Sequence, residues 1–195
     1  MELTDSKNTQ QVRSLNFIFD NVEYQKCELI DYIQAKDENE ILKKIRIITS
    51  EIYSGYEIIN EILIAVYRQR FRGSQLKNGF NDNFKRVYNI FTKRERNIPA
   101  IYGDPFISSF YLSAKSWFVD IHDIRTQETH YEVGRIQNEE EELLYLNNNR
   151  NGTSKQIYTN PSTQIKLKLM DFITLVDGFL RTKIVIFDFL NNEDR

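Results

Sequence analysis

A single cysteine, Cys27, leaves no partner for an internal disulfide and too few thiolates for a structural zinc site. Its setting in a helical pattern, Lys26-Cys27-Glu28, predicts a small, partly buried helix residue. Proline and glycine are scarce, 3 and 7 in 195 residues. That argues against a fold of many short strands and turns and favours long helices. Histidine occurs only at His122 and His130, so any imidazole chemistry is confined to one stretch. No apolar run approaches the ~18 residues that span a bilayer. The opening MELTDSKNTQQ lacks a basic start followed by an apolar core, so it does not read as a secretion signal. The expected setting is cytoplasmic, with no membrane partner.

What is present is globular. Apolar residues make up 41% and aromatics 13%, above the range of disordered chains. A chain of this length can bury roughly 70% of the surface its unfolded form exposes. One domain over residues 1–195 is the expectation. The net charge of −2 gives the whole molecule no long-range attraction for phosphate. The charge is unevenly placed, however. Between Val66 and Ala100 there are nine Lys or Arg against only Asp82 and Glu95, whereas Glu139 to Glu142 is an unbroken acidic run.

The apolar spacing predicts an all-α bundle of about five to six helices. Residues 1–13 read as a frayed polar tail. A first helix is expected from about Leu15 to Gln34, with Phe19, Val22, Ile30 and Ile33 on one stripe. Asp37-Glu38-Asn39-Glu40 resembles a capping box. Ile41, Ile45, Ile48, Ile52, Ile59, Leu63 and Val66 then hold one face over about seven turns, with a kink or break expected at Ser54-Gly55. Such a run suits a helix packed in its own bundle or, as an alternative, a coiled coil. Phe84, Val87, Tyr88 and Phe91 suggest a short helix over 83–93. Asp104-Pro105 caps another, with Ile107, Phe110, Ala114, Trp117, Ile121 and Ile124 on its stripe. After it, Leu143–Leu146 and Lys155–Tyr158 flank a loop ending in Asn151-Gly152, which predicts a small β-hairpin inserted over 143–158. Asn160-Pro161 is expected to open the last helix, with Ile165, Leu169, Phe172, Val176, Leu180 and Leu190 on its face.

The stretch DIRTQETHYEVG, residues 123–134, carries the candidate chemistry. Arg125 and His130 are five residues apart, about 140° around an ideal helix. They converge only if the helix bends or ends between them, or if a second subunit completes the site. His122 shares a face with Arg125. Histidine exchanges protons near neutral pH, and a guanidinium holds phosphate in a fixed fork. Together they would suffice for RNA cleavage through the ribose 2′-hydroxyl, with no cofactor and no metal.

The Arg-x4-His pattern after an apolar helix in an all-α chain resembles the HEPN superfamily (higher eukaryote and prokaryote nucleotide-binding). Residues Trp117 to Gly134 are similar to bacterial all-α proteins of this kind. The motif resemblance covers 117–134; the architectural resemblance covers most of the chain. It implies a homodimer with two motifs facing across a cleft, RNA as a substrate, an endoribonuclease activity of toxin or defence type, and an antitoxin-like protein as a further partner. By the same resemblance Arg125 would bind phosphate and His130 would transfer the proton. Thr126 stands where active members usually carry a polar residue, often Asn, Asp or His; His122 would orient Arg125 or the RNA.

Plainer alternatives stand beside these. Arg125 and His130 could be helix-end residues paired with Asp123, Glu128 or Glu132, in a catalytically silent assembly protein built around the helix Ile41–Val66. Asp120, His122, Asp123, Glu128, His130 and Glu132 crowd together, but lack the His-x3-His spacing of a helical metal site. In the basic segment, Tyr67, Phe71, Phe80, Phe84, Tyr88 and Phe91 suit single-stranded nucleic acid or simply a core with a solvated face. That face could also meet the acidic run 139–142 of a neighbouring subunit or partner.

Overall fold

The computed structural model describes residues 6–70, 76–93, 97–130, 134–139, 142–148 and 164–193, with the side chains of residues 6–9, 69, 70, 130, 148, 164 and 193 outside that description. The fold class is the expected all-α bundle with a small β insertion. Five helices are described: α1 (Ser6–Ala35), α2 (Glu38–Arg70), α3 (Phe80–Lys93), α4 (Pro105–His130) and α5 (Leu169–Glu193), with a 3-10 turn at Ala100–Gly103. Strands β1 (Arg135–Glu139), β2 (Glu142–Asn148) and β3 (Gln164–Lys168) lie between α4 and α5 in the chain and form one antiparallel sheet in the order β1-β2-β3. Among the described residues, no helix is long and apolar enough to cross a membrane.

The helix ends follow local chemistry. Lys36 adopts φ 55°. Its amide and that of Asp37 donate to the carbonyls of Ile33 and Tyr32 at 3.2 and 3.1 Å, which satisfies the last turn of α1. Asp37 then starts α2, its Oδ1 accepting from the Glu40 amide at 3.2 Å. The Glu40 carboxylate pairs with Lys43. Asp104 caps α4 as its sequence predicts, accepting from the Phe106 and Ile107 amides at 2.9 and 3.1 Å, with Pro105 in the first helical position.

Four expectations are corrected. The first helix begins at Ser6, so most of residues 1–13 is helical rather than a frayed tail. Of the kink or break expected at Ser54-Gly55, the break is absent, and the second helix runs through both residues. Cys27 is exposed, not partly buried. The last helix begins at Leu169 rather than near Pro161, because 164–168 pair as a strand with β2. Residues 155–158 lie outside the described residues. The strand expected at 143–146 lies within β2, whose described partners are β1 and β3. In β3 the lysines Lys166 and Lys168 are exposed while Ile165 and Leu167 are half-buried, the alternation of a one-sided strand.

The chain forms two compact units. The first comprises Met1–Ile18 and Ser54–Lys115, the second Phe19–Tyr53 and Ser116–Arg195. In the first, Phe80 packs on Tyr56 and Tyr111, each ring centroid 5.0 Å away. Around them lies a closed polar network. The Asn83 amide donates to Asn60 Oδ1 at 2.7 Å and to the Lys77 carbonyl at 2.8 Å; its Oδ1 accepts from the Lys77 amide and the Tyr102 hydroxyl, both at 2.8 Å. Asn60 also accepts from the Tyr111 hydroxyl at 2.7 Å and donates to the carbonyls of Lys77 and Asn78. These side chains fix residues 77–79 ahead of α3 with their polar atoms bonded. In the second unit, Phe179 stacks on Phe19 at 4.9 Å and meets the Trp117 edge at 5.4 Å. A methyl at Gly178 would press on the Trp117 side chain, so glycine allows that approach. The stripe Ile41, Ile45, Ile48, Ile52, Ile59 and Leu63 of α2 is fully buried within the chain itself.

Candidate functional site around Arg125

The second unit brings the last turns of α4 beside the first half of α2. On α4, Ile121 and Ile124 are buried and point the polar residues between them outward. His122 and Arg125 are both half-buried. The His122 ring stacks on Phe118 one turn earlier, with centroids 5.3 Å apart. Arg125 lies over the ring of Tyr53 from α2, its guanidinium carbon 3.9 Å from the ring centroid. A guanidinium this close to an aromatic face is attracted by the ring and keeps its charge.

Glu128, one turn after Arg125, is the acid most able to neutralise it. It is engaged elsewhere. Its Oε1 accepts from the Tyr145 hydroxyl at 2.6 Å and from the Gly134 amide at 3.0 Å. Its Oε2 lies 3.0 Å from Arg46 Nε, an ion-pair contact without hydrogen-bond alignment. The carboxylate is almost buried and the arginine half exposed. Tyr145 is fully buried, and burial together with the Glu128 carboxylate pushes its phenol far above the ordinary value. Tyr145 therefore acts as a permanent donor. A methyl at Gly134 would collide with the Tyr145 ring, so glycine is required where the chain leaves α4 for β1.

Thr126 is half-buried on α4. The position of His130 lies within α4, so the helix does not end between it and Arg125. The His130 side chain and Glu132 lie outside the described residues. Among the described residues, no carboxylate pairs with Arg125, and no group of three His, Cys, Asp or Glu side chains is placed to hold a metal.

Tyr53, Arg46 and Tyr145 were not singled out by sequence reasoning. Arg46 and Tyr53 do share a face of α2 at a spacing of seven, but pairing them with α4 needs the tertiary structure. No family model matches the chain, and no curated protein or solved structure matches it.

Charge is also distributed by unit. In the second, Lys26, Lys43, Lys44, Lys166, Lys168 and Lys183 each meet a carboxylate, at 2.5 to 3.2 Å. Two of those acids, Glu139 and Glu142, come from the acidic run. In the first, Lys77, Lys85, Lys93 and Lys115 meet none among the described residues. Three of the five described aromatics of that basic segment are core: Tyr67, Phe80 and Phe84 are buried, Tyr88 is half-buried and Phe91 exposed. Phe71 lies outside the described residues.

Proposed function

We propose that the chain is a HEPN-like protein acting as a metal-independent endoribonuclease, with Arg125 as the phosphate-binding group and His130 as the proton-transfer group. One observation carries the reading: Arg125 is held over the Tyr53 ring while Glu128, the acid one turn after it, is occupied by Arg46, Tyr145 and the Gly134 amide. An arginine kept half-buried over a ring, with no carboxylate pair among the described residues, suits an anionic ligand better than a helix-end ion pair. Thr126 and His122 flank it on α4 and would orient the RNA.

Arg125 and His130 occupy one continuous helix, about 140° apart around its axis. A composite site in a homodimer, Arg125 from one subunit and His130 from the other, resolves that separation. An antitoxin-like protein would then be a regulator of that cleft.

The test is cleavage of a labelled RNA pool in EDTA by wild type, Arg125→Ala and His130→Ala. Each single variant is expected to lose activity by about a hundredfold or more. Mixing the two inactive variants restores part of the activity if the site is composite, because one cleft of the mixed dimer is intact. Absence of cleavage by wild type at high enzyme would sink the nuclease reading in favour of a silent assembly protein.

A further inference from the structure

We propose that the outward face of α5 is the docking surface for a second copy of this chain, the two helices lying antiparallel across a two-fold axis. In the second unit, Phe172, Val176, Phe179 and Ile186 are fully buried and hold α5 to the core. On the opposite side, Arg181, Ile184, Val185 and Asp188 are all exposed, Ile184 at 67% and Val185 at 46%. Steps of three and four keep these four on one face of the helix. Ile184 and Val185 are the one adjacent pair among the large exposed apolar residues described.

Charge decides the occupant. Arg181 precedes Ile184 by the same interval at which Asp188 follows Val185. Neither Arg181 nor Asp188 meets an oppositely charged group among the described residues. They lie in line along α5, roughly 10 Å apart at ~1.5 Å per residue. A two-fold axis between Ile184 and Val185 reverses the helix. Arg181 of one chain then meets the partner's Asp188, its Asp188 meets the partner's Arg181, and the apolar pairs of both chains pack at the axis. A face that carries its own complement in this symmetric order is what an isologous contact requires. A different protein would have to supply an acid and a base at the same separation. A membrane surface would have to take up two charges beside a strip of only two apolar residues. The inference does not rest on the nuclease reading, none of whose residues is on α5.

The test is sedimentation equilibrium of the full chain, with circular dichroism to verify that each variant is folded. Wild type should dimerise with Kd of about 1–100 µM, the weak end expected of a small interface. Ile184→Asp should weaken association by about tenfold or more, with the helix content unchanged because the side chain is exposed. Arg181→Glu and Asp188→Arg should each weaken it by about tenfold or more, since either change sets like charges together at both ends of the contact. An equimolar mixture of those two variants should dimerise again, because every cross-chain pair in the mixed dimer is opposite in sign. Phe91→Ser, at an exposed apolar residue of the first unit, should associate as wild type. A wild type that stays monomeric at about 1 mM overturns the proposal and leaves the face to another partner. Dimerisation of Ile184→Asp as tight as wild type, or an equal loss in Phe91→Ser, overturns it by placing the contact elsewhere. Failure of the mixture to associate overturns the antiparallel pairing. None of these readouts involves RNA, so a failure of RNA cleavage leaves them intact.

Discussion

The two units treat most of their described lysines in opposite ways, Lys36 of the second unit being the exception. In the second unit, six lysines end on carboxylates. In the first, Lys77, Lys85, Lys93 and Lys115 end on solvent or on an aromatic ring. A paired lysine projects little field, while an unpaired cluster attracts anions locally even when the net charge is −2. The first unit closes its asparagine network on itself. In the second unit, Gln127 Oε1 is buried without a hydrogen-bond partner among the described residues, and Arg125 rests on a ring rather than on an acid. Total charge thus says less about binding than which charges are already answered.

The largest expected effect tests the closed network. Asn83→Ala removes the acceptor of the Lys77 amide and Tyr102 hydroxyl and the donor to Asn60, inside a fully buried setting. Each stranded buried group costs about 1–3 kcal/mol, so a loss of about 3 kcal/mol or more is expected in urea unfolding. A loss under about 1 kcal/mol would mean the first unit is not held by this network.

The asparagines also show where sequence reading stops. The stripes of α2 and α4 were legible because apolar residues recur at steps of three and four, and the caps at Asp37 and Asp104 because a short acceptor precedes each helix. The strand β3 was not legible. Ile165 and Leu167 alternate as in a strand, but Ile165 also lies four residues before Leu169 and so extends the stripe of α5 backwards. Ser54-Gly55 looked like a break because glycine costs about 1 kcal/mol inside a helix, yet the helix continues and Gly55 is buried. Of the site, the sequence located Arg125 on the right helix. It could not supply Tyr53 or Arg46, which come from a helix more than fifty residues away and are recognised only by contact.

A smaller effect separates answered from unanswered lysines. Lys44 is nearly buried, pairs with Glu28 and also donates to Gln25 at 2.8 Å. Lys44→Ala should cost about 1–2 kcal/mol, since Gln25 and Glu28 lose a charged donor. Lys85→Ala should stay within about 0.5 kcal/mol of wild type. Equal losses in both variants would show that Lys85 is structurally tied and would remove the contrast between the units.

The smallest effect, and the one that sharpens the comparison most, is in the pH dependence of stability. Burial raises the carboxyl of Glu57 in the first unit above its ordinary 4.5, with Asp82 and Glu61 adding to the shift. Hydrogen bonding to Lys44 lowers that of Glu28 in the second. The signs are opposite. A raised acid binds its proton more tightly when folded, so it favours folding below 4.5 and loses that contribution as pH rises through its folded value. A lowered acid stabilises above 4.5 and loses that contribution as pH falls through its folded value. On acidification from neutral pH, Glu57→Gln should therefore remove a small gain in stability that begins above 4.5, while Glu28→Gln should remove a loss that appears below it. Urea midpoints across that range read both. Shifts of the same sign in the two variants would show that the neighbouring lysine, present for Glu28 and absent for Glu57, is not what sets the two acids apart.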